Sequence, residues 1–166
     1  MQWVVKQQNL RDRHSYNRYV AIYNPNLSAI DKLTLIGGND YVDNVDALFV
    51  DNAENIYLTG MTLSSDFPFT EGTLTGSFGI TGGYIMKLSK NLERVIFATP
   101  IQAQLGLHND QFFTQDSVEN LIVGASTNVD TFFTTPGVYQ PSQLPPVQSN
   151  PTNWDLTISK FWIPDL

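Results

Sequence analysis

Apolar residues recur along this chain in short runs, in which they alternate with polar residues or are mostly β-branched. Gly, Asn, Asp and Pro bound these runs, and the periodicity of helices is almost absent. A period of two between turn-forming residues is the pattern of a β-strand. We therefore predict an all-β chain. The predicted strands lie at 2–7, 18–24, 31–36, 45–51, 55–62, 82–89, 94–101, 110–116, 120–126 and 154–162.

The predicted strands belong to an internal repeat. The pattern Asp-x-x-Glu-Asn occurs at 51–55 and again at 116–120, and the period of the repeat as a whole is about 64 residues. After each copy comes a strand, then an unusual loop: SSDFPFTEGTL at 64–74 and NVDTFFTTPGVYQ at 128–140. Asp and Asn suit the tight turn between two strands because their side chains bond their own backbone.

The remainder of each repeat supplies two more strands. The stretch 82–102 matches 17–38, and 153–166 matches both as far as it extends. Four-stranded antiparallel units repeating at this spacing are typical of β-propeller blades. A β-sandwich of two unrelated hairpins is the alternative, and the shared loop argues against it. We predict one module over 1–166, about two and a half repeats long. Its parts are a partial blade at 1–38, a blade at 45–102 and a blade at 110–162.

The stretch NIYLTGMTLSSDFPFTEGTL, followed by GGYIMKLSKNLERVIFAT, resembles the bacterial family of seven-bladed β-propeller (SBBP-type) repeats. The resemblance covers about 17–162 and is strongest in 45–90. It departs at Glu54 and Glu119, where glycine is usual, and in the second loop, where Asp130-Thr131-Phe132 replaces Asp-Phe-Pro. The matching residues are Asn55, Tyr57, Thr59, Gly60, Thr62, Ser64, Asp66, Phe67, Pro68, Thr70 and Gly72.

We predict that the repeated loop is structural. An Asp in such a loop usually accepts backbone N–H bonds, and Pro68 ends strand pairing because it lacks a donor. Phe67 or its counterpart can fold over the blade, where burying such a ring contributes roughly 1.5–3 kcal/mol. The predicted structural residues are Asp66, Phe67, Pro68, Gly72, Asp130, Phe132 and Gly137.

The segment NDYVDNVD is the best candidate for a metal site. Calcium takes about 6 to 8 oxygen ligands, and this segment is rich in them, although its spacing is not that of an EF-hand. Calcium here is the only cofactor that the sequence suggests. The candidate ligands are Asn39, Asp40, Asp43 and Asp46, with Asn44 between them.

Composition narrows the classes of function. The net charge is −7 and the pI is near 4.5. The negative field of such a chain repels phosphate backbones, so nucleic acid is not an expected partner. The absence of cysteine excludes disulfides, thiolate metal sites and cysteine nucleophiles. His14 and His108 have no ligand spacing, and no phosphate-binding loop or nucleophile elbow is visible. No run of residues is long and apolar enough for a membrane helix, and no signal peptide is expected in this chain.

These features predict a non-catalytic interaction or scaffold module, with binding carried by loops at one end of the blades. The resemblance implies a secreted or cell-surface bacterial protein. Expected partners are other protein chains or the remainder of a longer propeller, with glycan as a further option if exposed aromatic residues form a platform. One alternative function is a subunit that completes a ring or filament with other chains. The other is a hydrolase or lyase acting on polysaccharide, although no catalytic carboxylate pair is assigned.

Overall fold

The computed structural model describes residues 18–39, 43–71, 82–101, 111–116, 118, 120–127, 137 and 155–162. Within these residues there are nine strands and no helix, which confirms the all-β prediction. The predicted strand at 2–7 lies outside the described residues. The strands are β1 (Arg18–Tyr23), β2 (Ile30–Ile36), β3 (Ala47–Val50), β4 (Ile56–Thr62), β5 (Gly82–Leu88), β6 (Val95–Ile101), β7 (Gln111–Gln115), β8 (Leu121–Thr127) and β9 (Asp155–Phe161).

The strands form three antiparallel sheets in chain order. The first sheet pairs β1 with β2, the second runs β3-β4-β5-β6, and the third runs β7-β8-β9. Within each sheet, strands that are consecutive in sequence pair with each other, so each sheet is a simple meander. This arrangement agrees with the predicted four-stranded blades of a partial propeller.

Side-chain hydrogen bonds explain the tight turns. In the turn between β3 and β4, the Asn55 backbone N–H donates to Asp51 Oδ1 at 2.7 Å, and the Asn55 side chain donates to Asp51 Oδ2 at 3.0 Å. Asp116 and Asn120 make the same pair of bonds between β7 and β8, at 2.9 and 2.8 Å. Glu54 has a φ of 66°, in the left-handed region that favours glycine, which explains why glycine is usual there in the resembling repeats.

The sheets stack face to face, and we name their faces by this order. The front face of a sheet is the face toward the preceding sheet, and the rear face is the face toward the following sheet. In the first sheet the front face is therefore the one that points away from the second sheet, and in the third sheet the rear face is the one that points away from the second sheet. Side chains alternate between the two faces along each strand. The rear face of the first sheet (Val20, Ile22, Ile36) packs on the front face of the second (Ile56, Leu58, Tyr84, Met86, Leu88, Ala98). The rear face of the second (Phe49, Tyr57, Ile85, Phe97, Ile101) packs on the front face of the third (Phe113, Leu121, Val123, Phe161).

The strand registers refine the repeat length. In the turn hairpins, Val50 pairs with Ile56 and Gln115 with Leu121, which sets corresponding residues 65 positions apart. The glycines of the two copies therefore slip by one position. Gly124 takes the ladder place of Thr59 rather than that of Gly60, because Gly124 and Ile158 pair as Thr59 and Ile85 do.

Candidate functional site

Polar side chains converge where the first sheet ends and the second begins, and we call this region the junction (residues 37–46 and 62–70). Its centre is Asp43, whose exposed fraction is 1%. Asp43 accepts hydrogen bonds from the Gly38 backbone N–H at 2.7 Å, the Thr62 hydroxyl at 2.5 Å and the Ser64 hydroxyl at 2.9 Å. One carboxylate thus connects the segment after β2 to the end of β4 and the segment that follows it.

A second carboxylate in the junction repeats this role at the surface. Asp66 accepts a hydrogen bond from the Asn39 backbone N–H at 2.7 Å and another from the Asn39 side chain. A Cβ at position 38 would overlap Asp66 Oδ1 and the side chain of Ser64, so only glycine fits between them. The Asp of the repeated loop is therefore bound to the sheet that precedes its own.

Asn44 adds two more connections across the junction. Its side-chain oxygen accepts from Arg18 of β1 at 2.8 Å, and its backbone oxygen accepts from the Tyr84 hydroxyl of β5 at 2.7 Å. Burial raises the pKa of Tyr84, and the charges of Asp43 and Asp46 raise it further. The phenol therefore stays protonated and keeps its role as a donor.

Aromatic side chains pack where the junction meets the core between the first and second sheets. The ring of Phe67 lies 4.5 Å from that of Tyr84 and 5.1 Å from that of Phe69, measured between centroids. Phe67 is buried in the core between the first and second sheets. Phe67 thus contributes its ring to the contact between these two sheets.

A separate cluster of charges lies between the second and third sheets. Lys87 Nζ is 3.6 Å from Asp51 Oδ2 and 5.0 Å from the centre of the Tyr57 ring, and the Asp51 and Lys87 side chains are both buried. Burial opposes ionisation of Asp51, but hydrogen bonds from Asn55 and the charge of Lys87 outweigh it, so the pKa of Asp51 lies below its ordinary value. Burial likewise opposes the charge of Lys87, but contacts with Tyr57 and Asp51 leave its pKa raised.

The third sheet contains an exposed copy of this ion pair. Lys160 Nζ lies 2.6 Å from Asp116 Oδ2, and Lys160 faces solvent. Lys160 and the bonds from Asn120 lower the pKa of Asp116. Lys87 pairs with Tyr57 and Lys160 with Ile122, so both lysines occupy the same place in their sheets. The sequence analysis did not predict these two ion pairs. The lysine at the same place in each of the runs GGYIMKL and DLTISKF could have indicated them.

The predicted metal ligands are only partly brought together. Asn39 and Asp43 lie in the junction, where Asp43 is bound by protein donors, while the Asp46 side chain is exposed. In the part of the chain that the structure describes, no three His, Cys, Asp or Glu side chains are grouped closely enough for a metal ion. Asp40 lies outside the described residues, so calcium at this segment stays a prediction.

The structure describes only some of the predicted loop residues, namely Asp66, Phe67 and Pro68 of the first copy and Gly137 of the second. Pro68 follows Phe67 in the junction, whereas Gly72, Asp130 and Phe132 lie outside the described residues. Gly137 has a φ of 83°, which requires the freedom of glycine. The structural role of the second loop therefore stays a prediction.

The two outermost faces of the stack carry exposed apolar side chains. On the front face of the first sheet these are Tyr19, Tyr23, Leu33 and Leu35. On the rear face of the third sheet they are Phe112, Leu156 and Ile158. The second sheet, in contrast, buries apolar side chains on both its faces, and its exposed Leu48 and Val50 lie in the edge strand β3.

Comparison with known proteins agrees with the fold. The family model described as a beta-propeller repeat (SBBP) matches residues 31–68, which run from β2 through the junction to Pro68. Neither a curated protein nor a solved structure matches the chain. No helix in the described part of the chain could span a membrane. The resemblance to this repeat family, inferred from the sequence, is thus confirmed over the matched residues.

Proposed function

We propose that this chain is a non-catalytic interaction or scaffold module that binds other proteins through the two outermost faces of its sheet stack. The observation that carries the proposal is the exposure of apolar side chains in strand alternation on both of these faces. Contiguous exposed apolar patches on a folded protein commonly mark an interaction surface. A beta-propeller repeat is itself the kind of module that serves interaction or scaffolding.

The chemistry of the junction supports a non-catalytic role. The carboxylates of Asp43 and Asp66 accept hydrogen bonds from groups of the chain itself, which uses them to join two sheets. The buried Lys87 is likewise engaged by Asp51 and Tyr57. A general acid or base must instead reach a substrate proton. We also propose, from the resemblance alone, that the protein is bacterial and acts outside the cell.

The test compares binding with turnover. The chain is immobilised, and proteins captured from culture supernatant are compared between wild type and Ile158→Asp, with Leu27→Asp as a control for the added charge. Both side chains are exposed, but only Ile158 lies on an outermost face. We expect capture to depend on Ile158 and not on Leu27. Release of reducing ends or unsaturated sugars from polysaccharides by the chain, lost on changing an acidic residue, would contradict the proposal.

A further inference from the structure

We propose that the partner of these faces is a second copy of this chain, docked head to tail. The rear face of the third sheet of one copy would pack on the front face of the first sheet of the next. This inference rests on the proposed interaction function and names its partner. Its argument is that the chain already contains the same interface between its own sheets.

The front face of the first sheet repeats a face that is buried elsewhere in the chain. Ala21 pairs with Leu33 in the first sheet as Met86 pairs with Ala98 in the second. Met86 and Ala98 are fully buried beneath the first sheet, whereas Leu33 is exposed. The first sheet therefore exposes a face whose equivalent in the second sheet is buried by a neighbouring sheet.

Tyr19 supports the same equivalence. It pairs with Leu35 as Tyr84 pairs with Pro100. Tyr84 has no exposed surface, whereas Tyr19 is 62% exposed. A tyrosine that is a core residue in one repeat is thus a surface residue in the other, because no sheet among the described residues packs on the front face of the first sheet.

The rear face of the third sheet shows the complementary relation. Ile158 occupies the ladder place of Ile85, since it pairs with Gly124 as Ile85 pairs with Thr59. Ile85 is fully buried against the third sheet, whereas Ile158 is 68% exposed. The ion pair on this face, Lys160 with Asp116, is exposed where its counterpart is covered.

Both interfaces inside the chain join a rear face to the front face of the following sheet. The two outward faces are the front face of the first sheet and the rear face of the third sheet. Within the chain, a front face always packs on a rear face, so these two outward faces are of the kinds that pack together. A contact between two such different faces is heterologous, and repeating it gives a closed ring or an open filament. A second copy is therefore the occupant that the repeat itself specifies.

The experiment is sedimentation velocity of the full chain over a wide dilution series, with one variant on each face. Ile158→Asp changes the rear face of the third sheet, and Leu33→Asp changes the front face of the first. Leu27→Asp, in the β1–β2 turn, adds the same charge away from both faces. Far-ultraviolet circular dichroism verifies that each variant is folded, and Leu156→Asp replaces Ile158→Asp if the latter is not.

We expect wild type and Leu27→Asp to associate alike, and each face variant to associate at least about tenfold more weakly, because a carboxylate is costly to bury. An equal mixture of the two face variants should form dimers and nothing larger. In that mixture, the Ile158→Asp copy keeps an intact front face and the Leu33→Asp copy an intact rear face.

Three results would overturn head-to-tail docking. They are a monomeric wild type at every concentration, variants that each associate as well as wild type, and a mixture that behaves like its separate components. A monomer whose capture of other proteins still depends on Ile158 would overturn this inference and leave the proposed function standing. A monomer without such dependence would overturn both.

Discussion

Asp43 shows how one buried carboxylate can join two sheets. A buried charge is costly unless hydrogen bonds compensate it, and Asp43 receives three of them from two separate segments. Two of the donors are hydroxyls, one from the last residue of β4 and one from the segment that follows it, and the third is a backbone N–H of the segment after β2. The hydrogen bonds therefore form together only when the first and second sheets are both in place.

Replacing Asp43 should destabilise the fold more than its size suggests. Asp43→Ala removes the acceptor of three hydrogen bonds, two of them buried, and we expect the free energy of unfolding to fall by about 3 kcal/mol. Asp43→Asn keeps one acceptor oxygen and should lose roughly half as much. Urea denaturation measures both. Asp31→Ala removes the same charge from an exposed position of β2 and should change stability by less than about 0.5 kcal/mol. Equal effects of Asp43→Ala and Asp31→Ala would contradict the structural role of the junction.

Asp51 should make stability depend on acid pH. Its pKa in the folded chain lies below the ordinary value of 3.8, so the unfolded chain binds more protons in that range. Stability from Asp51 is therefore present above pH 4 or so and is lost as the pH falls through the folded pKa. The raised pKa of Lys87 acts at the other end, where stability is lost as the pH rises above 10.5.

The variant Asp51→Asn isolates this dependence. We expect the difference in unfolding free energy between wild type and Asp51→Asn to be largest near neutral pH and to shrink as the solution is acidified. Asp116, whose pKa is also lowered, is present in both proteins and cancels from the comparison. Urea denaturation at a series of pH values provides the measurement. A difference that stays constant down to pH 2 or so would show that Asp51 does not titrate with a shifted pKa.

At the scale of elements, the loop after β4 connects one sheet to the sheet before it. Asp66 binds Asn39 after β2, while Thr70 bonds through both its backbone N–H and its hydroxyl to the Ala98 backbone oxygen of β6. Between them, Phe67 enters the core between the two sheets. The first copy of the repeated loop therefore joins the second sheet to the first, and the same role for the copy at 128–140 stays a prediction.

Two glycines, in the equivalent strands β4 and β8 of the second and third sheets, should respond differently to the same substitution. A Cβ on Gly60 would overlap the Asn44 backbone oxygen, which cannot move without disturbing the junction. A Cβ on Gly124 would overlap only the ring of Phe112, which is partly exposed and can turn away. We expect Gly60→Ala to cost about 2–3 kcal/mol and Gly124→Ala less than about 1 kcal/mol. Thermal and urea denaturation of the matched pair would contradict the explanation if Gly124→Ala were the more damaging.

The strands and turns were predictable from sequence because their signals are local. The alternation in RYVAIY and the Asp-Asn pairs at the turns depend on residues only a few positions apart. The role of Asp43 was not predictable in this way. Its partners Thr62 and Ser64 lie far along the chain, and its own segment is rich in carboxylates, as a calcium site would be. The buried ion pair of Lys87 with Asp51 was not predicted, because burial between two sheets depends on a neighbour that the strand itself does not encode.

At the scale of the whole molecule, the stack is asymmetric in burial. In the second sheet the inner strands β4 and β5 are covered on both faces and paired on both edges, whereas Leu48 and Val50 of its edge strand β3 are exposed. The first and third sheets are covered on one face each among the described residues. Local stability in a protein follows buried contacts and protected hydrogen bonds, so it should fall from the second sheet outward.

Hydrogen exchange should reveal this gradient directly. In the chain diluted until it is monomeric, we expect the amides of β4 and β5 to exchange most slowly and those of β1 and β9 much faster, as measured by mass spectrometry of peptides. Raising the concentration should then slow exchange in β1 and β9 of wild type, because head-to-tail docking covers their outward faces, while β4 and β5 change little. Ile158→Asp should keep the gradient of the monomer and lose the response to concentration. Exchange in β9 as slow as in β4 in the dilute monomer would contradict the gradient, since β9 would then owe its protection to something other than a covering sheet.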